Sequence, residues 1–169
     1  CWQSIHPQHQ QTKLEGLLAQ ASSAAANWQA IQDHRLWGLA ARIIDHDTGS
    51  RLLGPFWPQL QQKAQRQTLT QLQLMAEAKR ITQAFQAANI GLSLLKGPAL
   101  SQRIYNDPAY RHSKDLDLLV PPRDLWAATA LLISLGFALE EAFALDLTQH
   151  KLIEQHFWHL TFQHPNNRD

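Results

Sequence analysis

Asp115 and Asp117, two carboxylates separated by one residue, are the pair in this chain best spaced for chemistry. They lie in Asp115-Leu116-Asp117-Leu118-Leu119-Val120, which reads as a strand stopped by Pro121-Pro122. On a strand, residues i and i+2 share a face at roughly 7 Å between Cα atoms. The two aspartates then face one side, and Leu116 and Leu118 the other. Like charges that close need a positive neighbour, and a divalent cation meets that need. Magnesium is the expected ion, because it takes one or two carboxylates together with waters and substrate phosphates. The alternative is a pair of solvated groups on an edge strand, since the bare tripeptide is common.

The residues just upstream bear on that choice. Leu92 to Leu95 is a short apolar run ending at Lys96. Gly97 permits a turn that other residues resist, and Pro98 suits the first position of a helix running through Ala99, Leu100 and Ile104 to near Tyr105. A strand, a glycine turn and a helix N-terminus outline an anion site, with free amides, the positive end of the helix dipole and the Lys96 charge. An ordinary strand-to-helix turn has the same pattern. Between the halves, Asn106-Asp107-Pro108 signals a turn. Arg111 and Ser113 alternate ahead of Asp115 and extend its face if the strand starts early. The planar fork of Arg111 suits phosphate, and it serves equally well as a structural partner that neutralises the aspartates.

The order Leu95-Lys96-Gly97, Tyr105-x-Asp107-Pro108, Arg111, Asp115-Leu116-Asp117-Leu118-Leu119-Val120 and a later Leu135-Gly136-Phe137 resembles the bacterial uncharacterised nucleotidyltransferase family. That family belongs to the nucleotidyltransferase-fold superfamily, which includes DNA polymerase beta and the minimal antibiotic nucleotidyltransferases. The resemblance is most specific over residues 95–137 and extends more loosely upstream. Arg111-His112-Ser113-Lys114-Asp115 is also similar to the nucleotidyltransferase-like toxins of abortive-infection systems. The resemblance implies magnesium-dependent transfer of a nucleoside monophosphate from an NTP. Asp115 and Asp117 would hold the metal and carry catalysis, and Lys96, Gly97, Arg111 and Ser113 would bind the nucleotide. The acceptor is left open among a small molecule, a peptide, a protein and an RNA. Two departures stand out. Pro98 follows the turn glycine where superfamily members carry Ser or Gly, and the third carboxylate of the superfamily has no clear counterpart. Glu154 is the in-chain alternative to a residue beyond Asp169.

The elements that must position these residues are mostly helical. Residues 13–47 show apolar stripes, first Leu14, Leu17 and Leu18, then Trp28, Ile31, Leu36, Leu39, Ala40, Ile43 and Ile44. Asp45-His46-Asp47-Thr48-Gly49 is expected to end this region, with Gly49 as the cap. A metal cluster there is the less favoured reading. After a loop at residues 50–57, a long helix rich in glutamine and poor in charge is expected from Pro58 to Ala88, with Leu74, Ala78, Ile81, Phe85 and Ala88 on one stripe and solvent or a partner on the opposite face. Asn89-Ile90-Gly91 ends it. Beyond the aspartates a helix over 123–135, with Trp126, Ala130 and Ile133 on one line and Leu125, Leu132 and Leu135 close by, is closed by Gly136, and a strand follows from Phe137. Residues 147–155 read as a helix, 157–163 as a strand and 164–169 as a turn. The fold class expected is α+β: a helical region over 1–90, then a nucleotidyltransferase-like mixed sheet with packed helices over 91–169. That lobe is expected to be truncated at its C-terminus.

Composition excludes several classes. The formal net charge is +1, so no bulk field draws the chain to nucleic acid. No His/Cys spacing reads as a zinc site. The single cysteine, Cys1, excludes an internal disulfide framework. No apolar run reaches membrane-spanning length and no signal peptide is visible, so no membrane partner and a cytoplasmic setting are expected. The chain begins Cys-Trp without methionine, and a fragment or a trimmed chain is expected. Two rival readings keep the fold without the chemistry: an inactive nucleotide-binding module, and a toxin–antitoxin-type component whose glutamine-rich helices contact a protein partner.

Overall fold

The computed structural model describes residues 12, 13, 16, 23–140 and 159–164. The chain divides into two compact units, Cys1–Lys79 with Leu94–Leu118, and Arg80–Ser93 with Leu119–Asp169. The helix expected over 147–155, Glu154, residues 165–169 of the terminal turn and residues 1–11 lie outside the described residues.

From Ser23 onward the first unit carries three short helices, α1 (Ala24–Asp33), α2 (Trp37–Ile43) and α3 (His46–Leu53). Ser23 caps α1 by accepting the Ala26 N–H at 3.2 Å. Asp45 caps α3 in the same way, accepting the Thr48 N–H at 2.9 Å, and that bond holds its carboxyl below the ordinary value. Asp45 therefore starts a helix where the sequence suggested that one ended. An Asp three residues ahead of a backbone donor is a start signal, and Gly49 had outweighed it. Gly49 is inside α3 for a packing reason: a Cβ there would come within 2.5 Å of the Trp57 ring. His46 and Asp47 are exposed, and among the described residues no group of three or more His, Cys, Asp or Glu could hold a metal.

The core of this unit gathers Trp28, Ile31, Ala40, Ile43, Ile44, Leu52, Leu53, Trp57 and Leu60. Burial of each large apolar side chain contributes roughly 1.5–3 kcal/mol. Trp28 stacks on Phe56 at 5.6 Å, and the Lys63 ammonium lies 5.4 Å from the Trp28 ring and 5.1 Å from the Trp37 ring. The buried Asn27 side chain donates to the Leu52 carbonyl at 2.9 Å and ties α1 to α3.

A 3₁₀ turn, Gly54–Phe56, leads into α4 (Trp57–Ala87), 31 residues long and close to the expected bounds. Trp57, Leu60, Ala64, Gln67, Gln71, Ala78, Ile81 and Phe85 are buried along it, with Leu74 half-buried. Their alternating spacing of three and four keeps one face inward. The sequence identified the second half of that stripe. The first half includes two glutamines, and Ala88, expected on the stripe, is exposed. Asn89 ends the helix at φ 58°, in the left-handed region where Asn is tolerated.

The strands are short. β1 (Ser93–Leu94) pairs with β2 (Leu118–Leu119), and α5 (Pro98–Tyr105) lies between them in sequence. A second 3₁₀ turn, Pro122–Asp124, precedes α6 (Leu125–Ser134). Its buried residues are Ala128, Thr129 and Leu132, while Ile133 is exposed. The line through Trp126, Ala130 and Ile133 is therefore not the buried one, because a helix apolar almost all round gives periodicity nothing to select. Gly136, at φ 94°, closes α6 as expected. β3 (Ala138–Leu139) pairs antiparallel with β4 (Phe162–Gln163), in the register Ala138 with Gln163 and Leu139 with Phe162. The architecture is helices with small sheets, compatible with α+β, and the described strands pair two by two. No helix among the described residues is long and apolar enough to cross a membrane.

Candidate functional site

The turn at Gly97 is built as its sequence requires. Gly97 takes φ 82° and ψ −157° as the residue before α5, and Pro98 occupies the first helical position. A Cβ on Gly97 would meet the Asp115 carbonyl at 3.5 Å, so the turn packs directly beside the first aspartate. No side chain caps the first turn of α5. Its early amides are the kind of donor that a helix N-terminus offers to an anion.

The segment after α5 is held from several directions. Asn106 ends the helix at φ 55°, and its side-chain oxygen accepts from Gln102 at 3.0 Å. Asp107 accepts the Ala109 N–H at 2.8 Å through one carboxylate oxygen and pairs with Arg42 through the other. Arg42 also donates to the Gly38 carbonyl at 3.0 Å and to Thr68 Oγ1 at 3.3 Å. Ser101, almost fully buried, donates to the Asp107 carbonyl at 2.8 Å and accepts the Arg111 N–H at 3.4 Å. From α4, Gln67 donates to the Ala109 carbonyl at 3.0 Å and Gln71 to the Ser113 carbonyl at 2.8 Å. Tyr105 and Tyr110 stack at 4.4 Å, and burial, then the neighbouring Tyr105, pushes the Tyr110 phenol up from its ordinary value.

This framework surrounds a cleft of about 250 Å³ lined by Arg35, Lys96, Gly97, Arg111, His112, Ser113, Lys114 and Asp115. Five of the residues singled out from sequence, Lys96, Gly97, Arg111, Ser113 and Asp115, thus meet around one space. Asp117 does not line it. Its Oδ2 lies 3.1 Å from Lys96 Nζ, and its carbonyl accepts the Leu95 N–H at 3.0 Å. The expected strand over 115–120 shrinks to Leu118–Leu119, with Asp115 in a bend and Asp117 in the irregular link before β2. The close packing of the Gly97 turn against the Asp115 carbonyl accompanies that late start.

Arg35, His112 and Lys114 were not assigned roles from sequence. His112 meets Trp37 edge-on at 5.7 Å, and its Nδ1 is buried with no hydrogen-bond partner. Burial, followed by the charges of Arg35 and Lys114, holds its imidazole below the ordinary 6.5, so it is neutral at pH 7. Lys114 carried a signal, since it adjoins Asp115. Arg35 carried only a break between two apolar runs. The lining holds four basic side chains, Arg35, Lys96, Arg111 and Lys114, against the single carboxylate of Asp115. Such a surface attracts a polyanion. Asp115 and Asp117 are the carboxylates beside it that could hold a cation.

Comparison with curated proteins and with solved structures gave no match. A family model described as "Uncharacterised nucleotidyltransferase" matches residues 20–168, which takes in α1 to β4 and every residue of the cleft. The chain belongs to the uncharacterised nucleotidyltransferase family.

Proposed function

We propose that this chain transfers a nucleoside monophosphate from an NTP to an acceptor hydroxyl, with magnesium held by Asp115 and Asp117. The observation that carries this reading is the cleft: four cations and the Gly97 turn around one carboxylate. The donor set suits the ion, since both residues are carboxylates and both reach solvent. Magnesium, when bound, offsets charge on the phosphates and lowers the pKa of the attacking hydroxyl. Gly97 and the first turn of α5 seat the outer phosphates. Arg111 and Lys96 offset the charge that gathers on pyrophosphate as it leaves, and the Ser113 hydroxyl orients a phosphate oxygen. A bond forms between the acceptor oxygen and the α-phosphorus, the bond to the bridging oxygen of pyrophosphate breaks, and the acceptor proton leaves to solvent. In this reading residues 1–90 support a catalytic lobe over 91–169, with β1 and β2 belonging to a nucleotidyltransferase-like mixed sheet. The acceptor, whether a small molecule, a peptide, a protein or an RNA, is not specified by these residues.

Two observations favour a second reading, in which the fold binds nucleotide or a protein partner without turnover. Lys96 already neutralises Asp117 at 3.1 Å, and Pro98 offers no amide at the first helical position. Thermal unfolding with each NTP, with and without magnesium, separates the two when paired with an assay for pyrophosphate release. Catalysis predicts stabilisation by one or more NTPs that depends on magnesium, of roughly 5–10 °C at a hundredfold excess over Kd. The Asp115→Ala/Asp117→Ala variant loses both that shift and the pyrophosphate signal. Stabilisation that ignores magnesium, with no pyrophosphate, points to the binding module.

A further inference from the structure

α1 closes by a specific backbone pattern. The Arg35 N–H donates to the Gln32 carbonyl at 3.0 Å and the Leu36 N–H to the Ile31 carbonyl at 2.9 Å. This pair of bonds requires one residue in the left-handed region, here Arg35 at φ 52°. The same pattern closes α4 through Asn89 and α6 through Gly136. Glycine, and to a lesser degree asparagine, take that conformation at little cost, whereas an arginine there is strained.

Strain that persists at one residue directs attention to its side chain. The Arg35 side chain lines the cationic cleft. Among the described residues no carboxylate lies within ion-pair distance of it. Its charge acts on His112 across the cleft wall. An unpaired guanidinium fork beside Arg111 and Lys114 suits a phosphate group, which it can grip through two parallel N–H bonds.

We propose that Arg35 is a substrate-binding residue that grips the triphosphate tail of the nucleotide from the α1–α2 turn. The proposal rests on reading the cleft as the nucleotide site. It makes the helical region a contributor to binding as well as a support.

Calorimetric titration of the 169-residue chain with tripolyphosphate and with ATP, with and without magnesium, tests it, alongside thermal unfolding of each variant. Arg35→Gly is expected to bind both probes at least about tenfold more weakly than wild type. Its Tm should be no lower, because glycine relieves the positive φ. Arg35→Lys should fall between, keeping the charge without the fork. Asn89→Gly makes the matching backbone change at the end of α4 and should bind as wild type does. Wild-type binding by Arg35→Gly would overturn the role of Arg35 and leave the nucleotide reading standing. A lowered Tm together with weakened binding would also overturn it, by placing the residue in the fold. A wild-type chain that binds neither probe under either condition would remove both the proposal and the nucleotide reading beneath it.

Discussion

The two halves of the cleft are built differently. The segment from Asp107 to Ser113, which supplies Arg111 and His112, is fixed by buried or half-buried donors from α2, α4 and α5: Arg42, Gln67, Gln71 and Ser101. Among the described residues, the segment from Asp115 to Asp117 is tied by one exposed lysine and one backbone hydrogen bond. The main chain that carries Arg111 is thus held from several elements, while the main chain that carries Asp115 and Asp117 has fewer ties among the described residues. An anion site gains from fixed donors, because ordering costs then fall on folding and not on binding. A magnesium site that shares its ligands with a substrate gains from carboxylates that can move to complete the shell.

That contrast can be broken by substitution. The largest effect is expected at the acidic side and on function alone: Asp117→Ala should cut magnesium-dependent transfer by at least about a hundredfold while leaving Tm within a few degrees. A collapse in Tm would make the aspartate part of the fold and erase the contrast. On the Asp107–Ser113 side the largest stability effect is expected from Gly38→Ala. Its Cβ would stand 2.2 Å from Gln67 Nε2 and 2.9 Å from the Ala109 carbonyl, displacing the bond that holds the segment. A loss of about 2–3 kcal/mol should appear as a fall in Tm of roughly 5–10 °C. Gln71→Leu, which leaves the Ser113 carbonyl unpaired, should cost about 1–3 kcal/mol by denaturant unfolding. Lys96→Ala should move stability by no more than about 0.5 kcal/mol, because the side chain is 74% exposed. A large loss there would show the acidic side to be as firmly built as the other.

The smallest effect concerns pH. The His112 imidazole is held below its ordinary value, so below pH 6.5 the unfolded chain takes up the proton more readily than the folded one. Stability from this group is present above that pH and is lost as pH falls through the folded value. His112→Phe should flatten that part of a Tm–pH profile, by a degree or two since the ring is only partly buried. An unchanged profile would remove His112 from the titrating wall of the cleft.

Much of this could be read from residue order, for reasons that also explain the failures. The long helix was evident because its stripe runs without a proline break and ends at Asn89. The Gly97 turn was evident because glycine followed by proline has few other uses after an apolar run. The inward glutamines were not, since α4 carries glutamine on several faces and only the carbonyls of Ala109 and Ser113 decide which ones turn in. The start of α3 was misread because a cap and a terminus look alike when a glycine follows, and the Trp57 ring that explains Gly49 is distant in sequence. Arg35 was invisible because its significance lies in a backbone angle. Asp117 was placed on a longer strand because alternation of Leu and Asp does not report where pairing begins.

The glutamine pair also has a consequence for how the protein can change. Gln67 and Gln71 reach carbonyls that are themselves four residues apart, at Ala109 and Ser113. The helix advances about 6 Å over that interval, so it acts as a gauge against which the facing segment is measured. What it grips is main chain, common to every amino acid. The identities of residues between the two grips can drift without loosening them, but an insertion or deletion of even one residue would leave a grip empty. Variation in this wall of the cleft is therefore open in letter and closed in length.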